Sequence, residues 1–250
     1  MKTVPNSLGL GRIDEFRANQ IFRPMRLVCQ HTLALKRLSS QFAYRAIRKT
    51  PFLPSPQRYN ISICHEEKFV WFRVAKVGTR TILHELRDNN ISAEHPMFVH
   101  YPINLYRDYF KFAFVRNPWD RLVSAWLNKV VDCNYFGFNE SDLEKMGSFG
   151  NFVDYVSTLD IENCDLHLRL QCRLIDINHI DYLGRYESFS LDLTKVFEVL
   201  GIDQKDFVRR NASQKRKSYQ EYYNERLIEK VSQIYRKDIQ VFGYEYSLPK

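Results

Sequence analysis

Two stretches of this chain share one pattern: a short run of apolar residues, then a cationic residue, then a turn that opens a helix. The first run is Phe69, Val70, Trp71, Phe72 and Val74. It is short, aromatic and β-branched, which predicts a strand in the middle of a sheet. It passes into Lys76-Val77-Gly78-Thr79-Arg80-Thr81 and a helical segment that closes at Asp88-Asn89-Asn90. Gly78 permits a turn that a Cβ would obstruct, and Thr79 is placed to cap the helix. The second run, residues 112–115, leads to Arg116, then Asn117 as a helix cap and Pro118 at the first helical position. On that helix Asn117, Arg121, Ser124 and Asn128 share one face, and Leu122, Val123, Trp126, Leu127 and Val130 the other.

Elsewhere the pattern is weaker. A short strand is expected over residues 97–100, flanked by His95 and His100, and helices near 152–159, 191–200 and 221–242. Residues 1–24 are polar and broken by Gly and Pro, residues 25–48 read as a basic amphipathic helix, and residues 50–56 carry three prolines. These features predict an arm over 1–58 and a globular domain over 59–250.

Charge sharpens that division. The chain of 250 residues has a net charge of +8, yet residues 1–58 hold 11 Lys/Arg against 2 Asp/Glu, which leaves the remainder nearly neutral. A near-neutral body argues against a nucleic-acid footprint, while the arm suits peripheral contact with a membrane or an anionic polymer. The five cysteines include no CxxC pair, so neither a zinc site nor a disulfide framework is expected. No stretch approaches a membrane span or a signal peptide, and the expected setting is cytoplasmic.

The chemistry suggested by the two strand-to-helix turns is anion binding. Helix-start amides, the hydroxyls of Thr79 and Thr81 and the cations Lys76 and Arg80 converge in the first, and Arg116 and Ser124 can meet a ligand in the second. The first loop is not a Walker A sequence, because it lacks the second glycine and has no Ser or Thr directly after Lys76. A phosphate ligand held without a metal is therefore expected.

FRVAKVGTRT (72–81) together with FAFVRNPWDRLVSAW (112–126) resembles the paired signatures of sulfotransferases that use 3′-phosphoadenosine 5′-phosphosulfate (PAPS), especially their carbohydrate branch. Later blocks agree in order: Asp165-Leu-His167, the run 180–187 with Asp192, Asn211-Ala-Ser213, and 235–244. One departure is Leu-Arg-Leu after His167, where relatives carry an aromatic residue and a proline. Another is the lack of the membrane anchor of Golgi-resident members, which points to a prokaryotic or otherwise soluble relative.

The resemblance implies an α/β, three-layer P-loop-like sandwich with a mostly parallel central sheet. It implies Lys76, Gly78, Thr79, Arg80 and Thr81 around the 5′-phosphosulfate, and Arg116 and Ser124 on the 3′-phosphate. Tyr186 and Glu187 would lie near the adenine, and the basic loop 213–219 over the nucleotide. PAPS would be the donor and the bisphosphate PAP the product, without a metal. Lys76 would stabilise the leaving phosphate, and His100, ahead of His95 and His167, would take the proton of an acceptor hydroxyl; Glu66 or Glu94 are carboxylate alternatives. A carbohydrate acceptor follows only by analogy, so lipid, peptide and small-alcohol acceptors stay open. Competing readings are a P-loop small-molecule kinase and a nucleotide-binding protein without transfer chemistry.

Overall fold

In the computed structural model, which describes residues 54–202 and 217–247, a four-stranded sheet carries the architecture, with strands in sequence order. Strand β1 (Ile61–Cys64) turns back through residues 65–68 and pairs antiparallel with β2 (Phe69–Phe72). β3 (Phe110–Val115) lies parallel to β2, and β4 (Tyr182–Arg185) parallel to β3. The expected mostly parallel α/β sheet is present. β1 was not expected, because four residues, ISIC, followed by a polar turn carry little periodic signal.

Both faces of the sheet are covered, as the fully buried strands β1 and β2 require. On one face Trp71 stacks on Phe112, and Phe114 meets Phe189 at 5.2 Å. On the other, Phe72 packs edge-on against Tyr59 and Tyr101. Ring pairs of this kind add modest stabilisation to what burial of their area already gives.

Seven α-helices are present among the described residues. Helix α1 (Thr79–Asp88) follows β2, and α2 (Pro118–Trp126) follows β3. α3 (Glu140–Met146) and α4 (Phe149–Val156) precede β4, and α5 (Phe189–Leu200) follows it. The segment expected as one helix over 221–242 is divided at Tyr235 into α6 (Glu225–Ile234) and α7 (Arg236–Phe242).

The expected strand at 97–100 is absent as a ladder. That segment runs beside the chain around β1 through isolated bridges, Tyr59 to Val99 and Ile63 to Glu94. Pro96 has no N–H to donate and Phe98 is left-handed at φ 53°, so continuous pairing is broken between them. At the end of the proline-rich run, Pro54 bridges Pro102, and Ser55 donates its N–H to the Tyr101 carbonyl at 2.9 Å. The amphipathic segment 25–48 and most of the basic loop 213–219 lie outside the described residues.

Because β2, β3 and β4 are parallel, their carboxyl ends open on one edge of the sheet. The Lys76 loop, Arg116 and Tyr186-Glu187 therefore emerge side by side.

Candidate functional site

The loop after β2 is held from within. Lys76 has φ 71° and Gly78 φ 87°, and a left-handed lysine is uncommon enough to require support from its surroundings. Thr79 supplies part of it, donating its hydroxyl to the Val74 carbonyl at 2.7 Å. That corrects the expectation for Thr79: it is the first helical residue, Gly78 is the N-cap, and no side chain caps α1. The hydroxyl is turned back to the strand end, so it closes the loop. The first turn of α1 thus begins from a glycine cradle, where a Cβ would meet the Phe189 ring at 2.6 Å. Arg80 is exposed and Thr81 half-buried at the start of the same helix.

Arg116 joins this loop to the second segment. Its Nη1 donates to the Lys76 carbonyl at 3.0 Å, its Nε to Asp120 at 2.7 Å, and its guanidinium lies 4.0 Å over the Tyr186 ring. The backbone at Arg116 is fixed by Gln171, whose amide both accepts from its N–H and donates to its carbonyl. Asn117 caps α2 as expected, accepting from the N–H groups of Trp119 and Asp120, with Pro118 next.

The polar stripe of α2 faces the Lys76 loop. Asn128 accepts a hydrogen bond from Lys76 Nζ at 2.9 Å, and Arg121 Nε donates to the Ala75 carbonyl at 3.1 Å. Ser124, half-buried, lies between these two on the same stripe. The helix widens into a π turn over Leu127–Val131, a distortion frequent at functional sites. Arg121 is 2% exposed and is a clamp, since its other two nitrogens bind the carbonyls of Arg169 and Leu166 at 2.9 and 3.0 Å. Burial lowers its pKa most, and the neighbouring Tyr235 and Asp238 act the other way.

Glu187 has two partners within the protein. One carboxylate oxygen accepts from the Asn117 N–H at 2.6 Å and the other from the Tyr244 hydroxyl at 3.0 Å. It is a brace between β4, α2 and the C-terminal segment. Tyr186 instead stacks with Arg116.

His100 occupies a different setting. Its Nδ1 lies 2.8 Å from the Ser55 carbonyl, and a carbonyl only accepts, so Nδ1 carries the proton and Nε2 is the acceptor of the neutral ring. The ring lines an open cleft of about 330 Å³ together with Phe98, Arg58, Glu162, Arg169 and Arg173. Arg121 bridges the two regions, because one guanidinium spans the carbonyls of Ala75 and Arg169.

The other two histidines have their own partners. His95 Nδ1 is 2.8 Å from Ser62 Oγ, and burial first, then the nearby Arg73, holds its pKa below the ordinary value. His167 Nδ1 is 2.8 Å from Asp165. Burial would raise the Asp165 pKa, but the hydrogen bonds from His167 lower it overall.

Sequence reasoning missed Gln171, Asn128 as the partner of Lys76, and the arginines of the cleft. Asn128 was marked only by its place on the polar stripe. Among the described residues, no group of three or more His, Cys, Asp or Glu is placed to hold a metal ion, and no helix is long and apolar enough to cross a membrane.

No curated protein and no solved structure matches the chain. The profile of the sulfotransferase family matches residues 59–245, a stretch that holds the whole sheet, the Lys76 loop, Arg116 and the cleft's lining apart from Gln57 and Arg58. With well over half its length so matched, the chain belongs to the sulfotransferase family.

Proposed function

We propose that the chain transfers a sulfuryl group from PAPS to a carbohydrate hydroxyl. The observation that carries the reading is the Arg116 guanidinium bonded to the Lys76 carbonyl beneath Tyr186, which makes one site of the two signature segments. Family membership supplies the general chemistry, sulfuryl transfer to a hydroxyl-bearing acceptor.

The residues fit such a donor. The glycine cradle brings α1's uncapped first turn close to the ligand, with Lys76 and Arg80 as cations. Arg116 and Ser124 take the 3′-phosphate, Tyr186 lies beside the nucleotide, and Glu187 acts through Asn117 by fixing the start of α2. PAPS supplies the activated sulfuryl group, and the protein supplies position and charge.

Lys76 Nζ, steadied by Asn128, neutralises the charge that grows on the bridging oxygen as its bond to sulfur breaks. His100 Nε2 accepts the proton of the acceptor hydroxyl as the new oxygen–sulfur bond forms. The Ser55 carbonyl keeps the proton of the neutral ring on Nδ1, which leaves Nε2 in the basic form.

A thermal-shift titration with PAP, beside ADP and ATP with magnesium, tests the donor class without an acceptor. Stabilisation by PAP alone in the wild type, reduced in Arg116→Ala and partly kept in Arg116→Lys, is the expected result. A response to ATP with magnesium would favour a kinase, and no response to any nucleotide would overturn the reading.

A further inference from the structure

Resting on the donor reading above, we propose that Asp238, in the C-terminal helix α7, acts through Gln171 as a positioning residue of the 3′-phosphate site. The need for it arises where β3 ends. The ladder to β2 closes at Ala113 and the ladder to β4 at Val115, so Arg116 lies one residue past the last pair. Arg116 is nevertheless 4% exposed, and buried backbone groups demand partners. The side-chain amide of Gln171 supplies both, accepting from the Arg116 N–H at 3.0 Å and donating to its carbonyl at 2.9 Å. An amide side chain carries the same donor and acceptor as a peptide unit, so Gln171 serves as one further rung of the sheet. It fixes the groups on either side of the Arg116 Cα, and with them the direction in which the guanidinium leaves.

Gln171 can hold Arg116 only as firmly as its own backbone is held. Asp238 provides that anchor. One carboxylate oxygen accepts from the Gln171 N–H at 2.7 Å and the other from the Cys172 N–H at 2.9 Å, at the start of the short 3₁₀ turn Gln171–Arg173. Tyr235, between α6 and α7, adds a second tie by donating its hydroxyl to the Leu168 carbonyl at 2.8 Å.

Gln171 and Asp238 are both fully buried, so they act on the donor site through Arg116 and not on a ligand directly. Arg121 from α2, Cys172 from the turn and Tyr235 are the charged or titratable groups that face the carboxylate. Burial raises the Asp238 pKa, while the Cys172 and Gln171 N–H groups and Arg121 act against it. A buried carboxylate is costly, and an apolar contact between α7 and the turn would avoid that cost. What the carboxylate provides instead is a pair of short, directed bonds on the residue that aims Arg116.

PAP and 5′-AMP, titrated calorimetrically into the full chain, test the proposal. Asp238→Asn keeps the side chain's shape and loses one acceptor, which turns an NH₂ toward a backbone N–H. The preference for PAP over 5′-AMP should fall about tenfold, with 5′-AMP affinity within about threefold of wild type. Charge alone predicts the reverse, because removing a negative group would tighten PAP. A preference kept or raised in Asp238→Asn overturns the inference, as do equal losses for both ligands, the result of a merely structural role.

Gln171→Glu is the second variant and carries the test alone where Asp238→Asn does not fold. Protonated, its carboxyl keeps a donor for the Arg116 carbonyl; ionised, it sets oxygen against oxygen. Its preference for PAP should lie roughly tenfold below that of the wild type at about pH 8.5 and recover toward it as pH falls to about 6. A preference equal to wild type at the higher pH, or a deficit that acid does not reduce, overturns the inference. Wild-type protein without a preference for PAP would overturn the donor reading itself, so the two failures are distinguishable.

Discussion

Around Lys76, two segments are joined side by side, the loop after β2 and the stretch 116–128: the buried Arg116 and Arg121 bond the Lys76 and Ala75 carbonyls, and the half-buried Asn128 the Lys76 ammonium. Around His100, the lining residues are mostly exposed, and they meet across an open cleft to which distant stretches contribute one or two side chains each. The first region is made rigid by hydrogen bonds whose loss would leave buried polar groups unsatisfied, so its geometry is set before a ligand arrives. The second is rimmed by adaptable side chains on a fixed floor. A donor shared across a family suits the first construction, and an acceptor particular to one protein suits the second.

The largest expected effects lie in chemistry and separate the two regions. Lys76→Ala should lower kcat by a factor of about 10² or more and weaken PAP binding as well. His100→Ala should lower kcat by about 10² while PAP affinity stays unchanged. Steady-state kinetics with labelled PAPS, paired with PAP titration, checks both. A His100→Ala protein with full turnover would move the base elsewhere, and a Lys76→Ala protein with full turnover would end the donor-loop account.

A smaller effect tests the rigidity assigned to the donor side. Gly78→Ala places a Cβ against the Phe189 ring at a φ of 87°, and a cost of about 1–3 kcal/mol is expected, read by denaturant unfolding. PAP binding should fall with it, because the cradle moves. Unchanged stability and affinity would show that the loop tolerates rearrangement.

The smallest effect concerns the segment that carries His100. Burial and Arg73 depress the His95 pKa in the folded state, so the unfolded chain takes up a proton near pH 6.5 where the folded one does not. Stability should therefore fall as pH drops below about 6.5, until the folded pKa is also passed. Unfolding midpoints from pH 7.5 to 5.5 should show a shallower slope for His95→Gln than for the wild type, and an identical slope would remove His95 from the account.

What the sequence made legible follows the same division. β2, β3, the Asn117 cap and Pro118 were readable because each is a local pattern with a local cause. The placement of Lys76, Arg116 and Ser124 was readable because they sit at fixed positions relative to those elements. The misreading of Thr79 arose because a hydroxyl at a helix start has two local acceptor or donor uses, and the Val74 carbonyl won. Arg121 was placed on the polar stripe but not as a clamp, because helical spacing shows which residues share a stripe and not what lies opposite it; three backbone carbonyls do. The bonds of Glu187 to Asn117 and Tyr244 were not legible, because its partners lie 70 and 57 residues away in the chain. The cleft was not legible, since Arg58, Phe98, Arg169 and Arg173 share no spacing and meet only through the tertiary fold.

The most direct test of the central claim, that the Lys76 loop and the Arg116 helix form one donor site, is calorimetric titration of PAP and of 5′-AMP into the wild type and Ser124→Ala. The two ligands differ only in the 3′-phosphate. The account predicts that the wild type prefers PAP strongly, and that Ser124→Ala loses about tenfold in PAP affinity with 5′-AMP binding unchanged, as expected for one hydrogen bond to a charged group. Equal binding of the two ligands by the wild type, or equal losses for both in the variant, would contradict it.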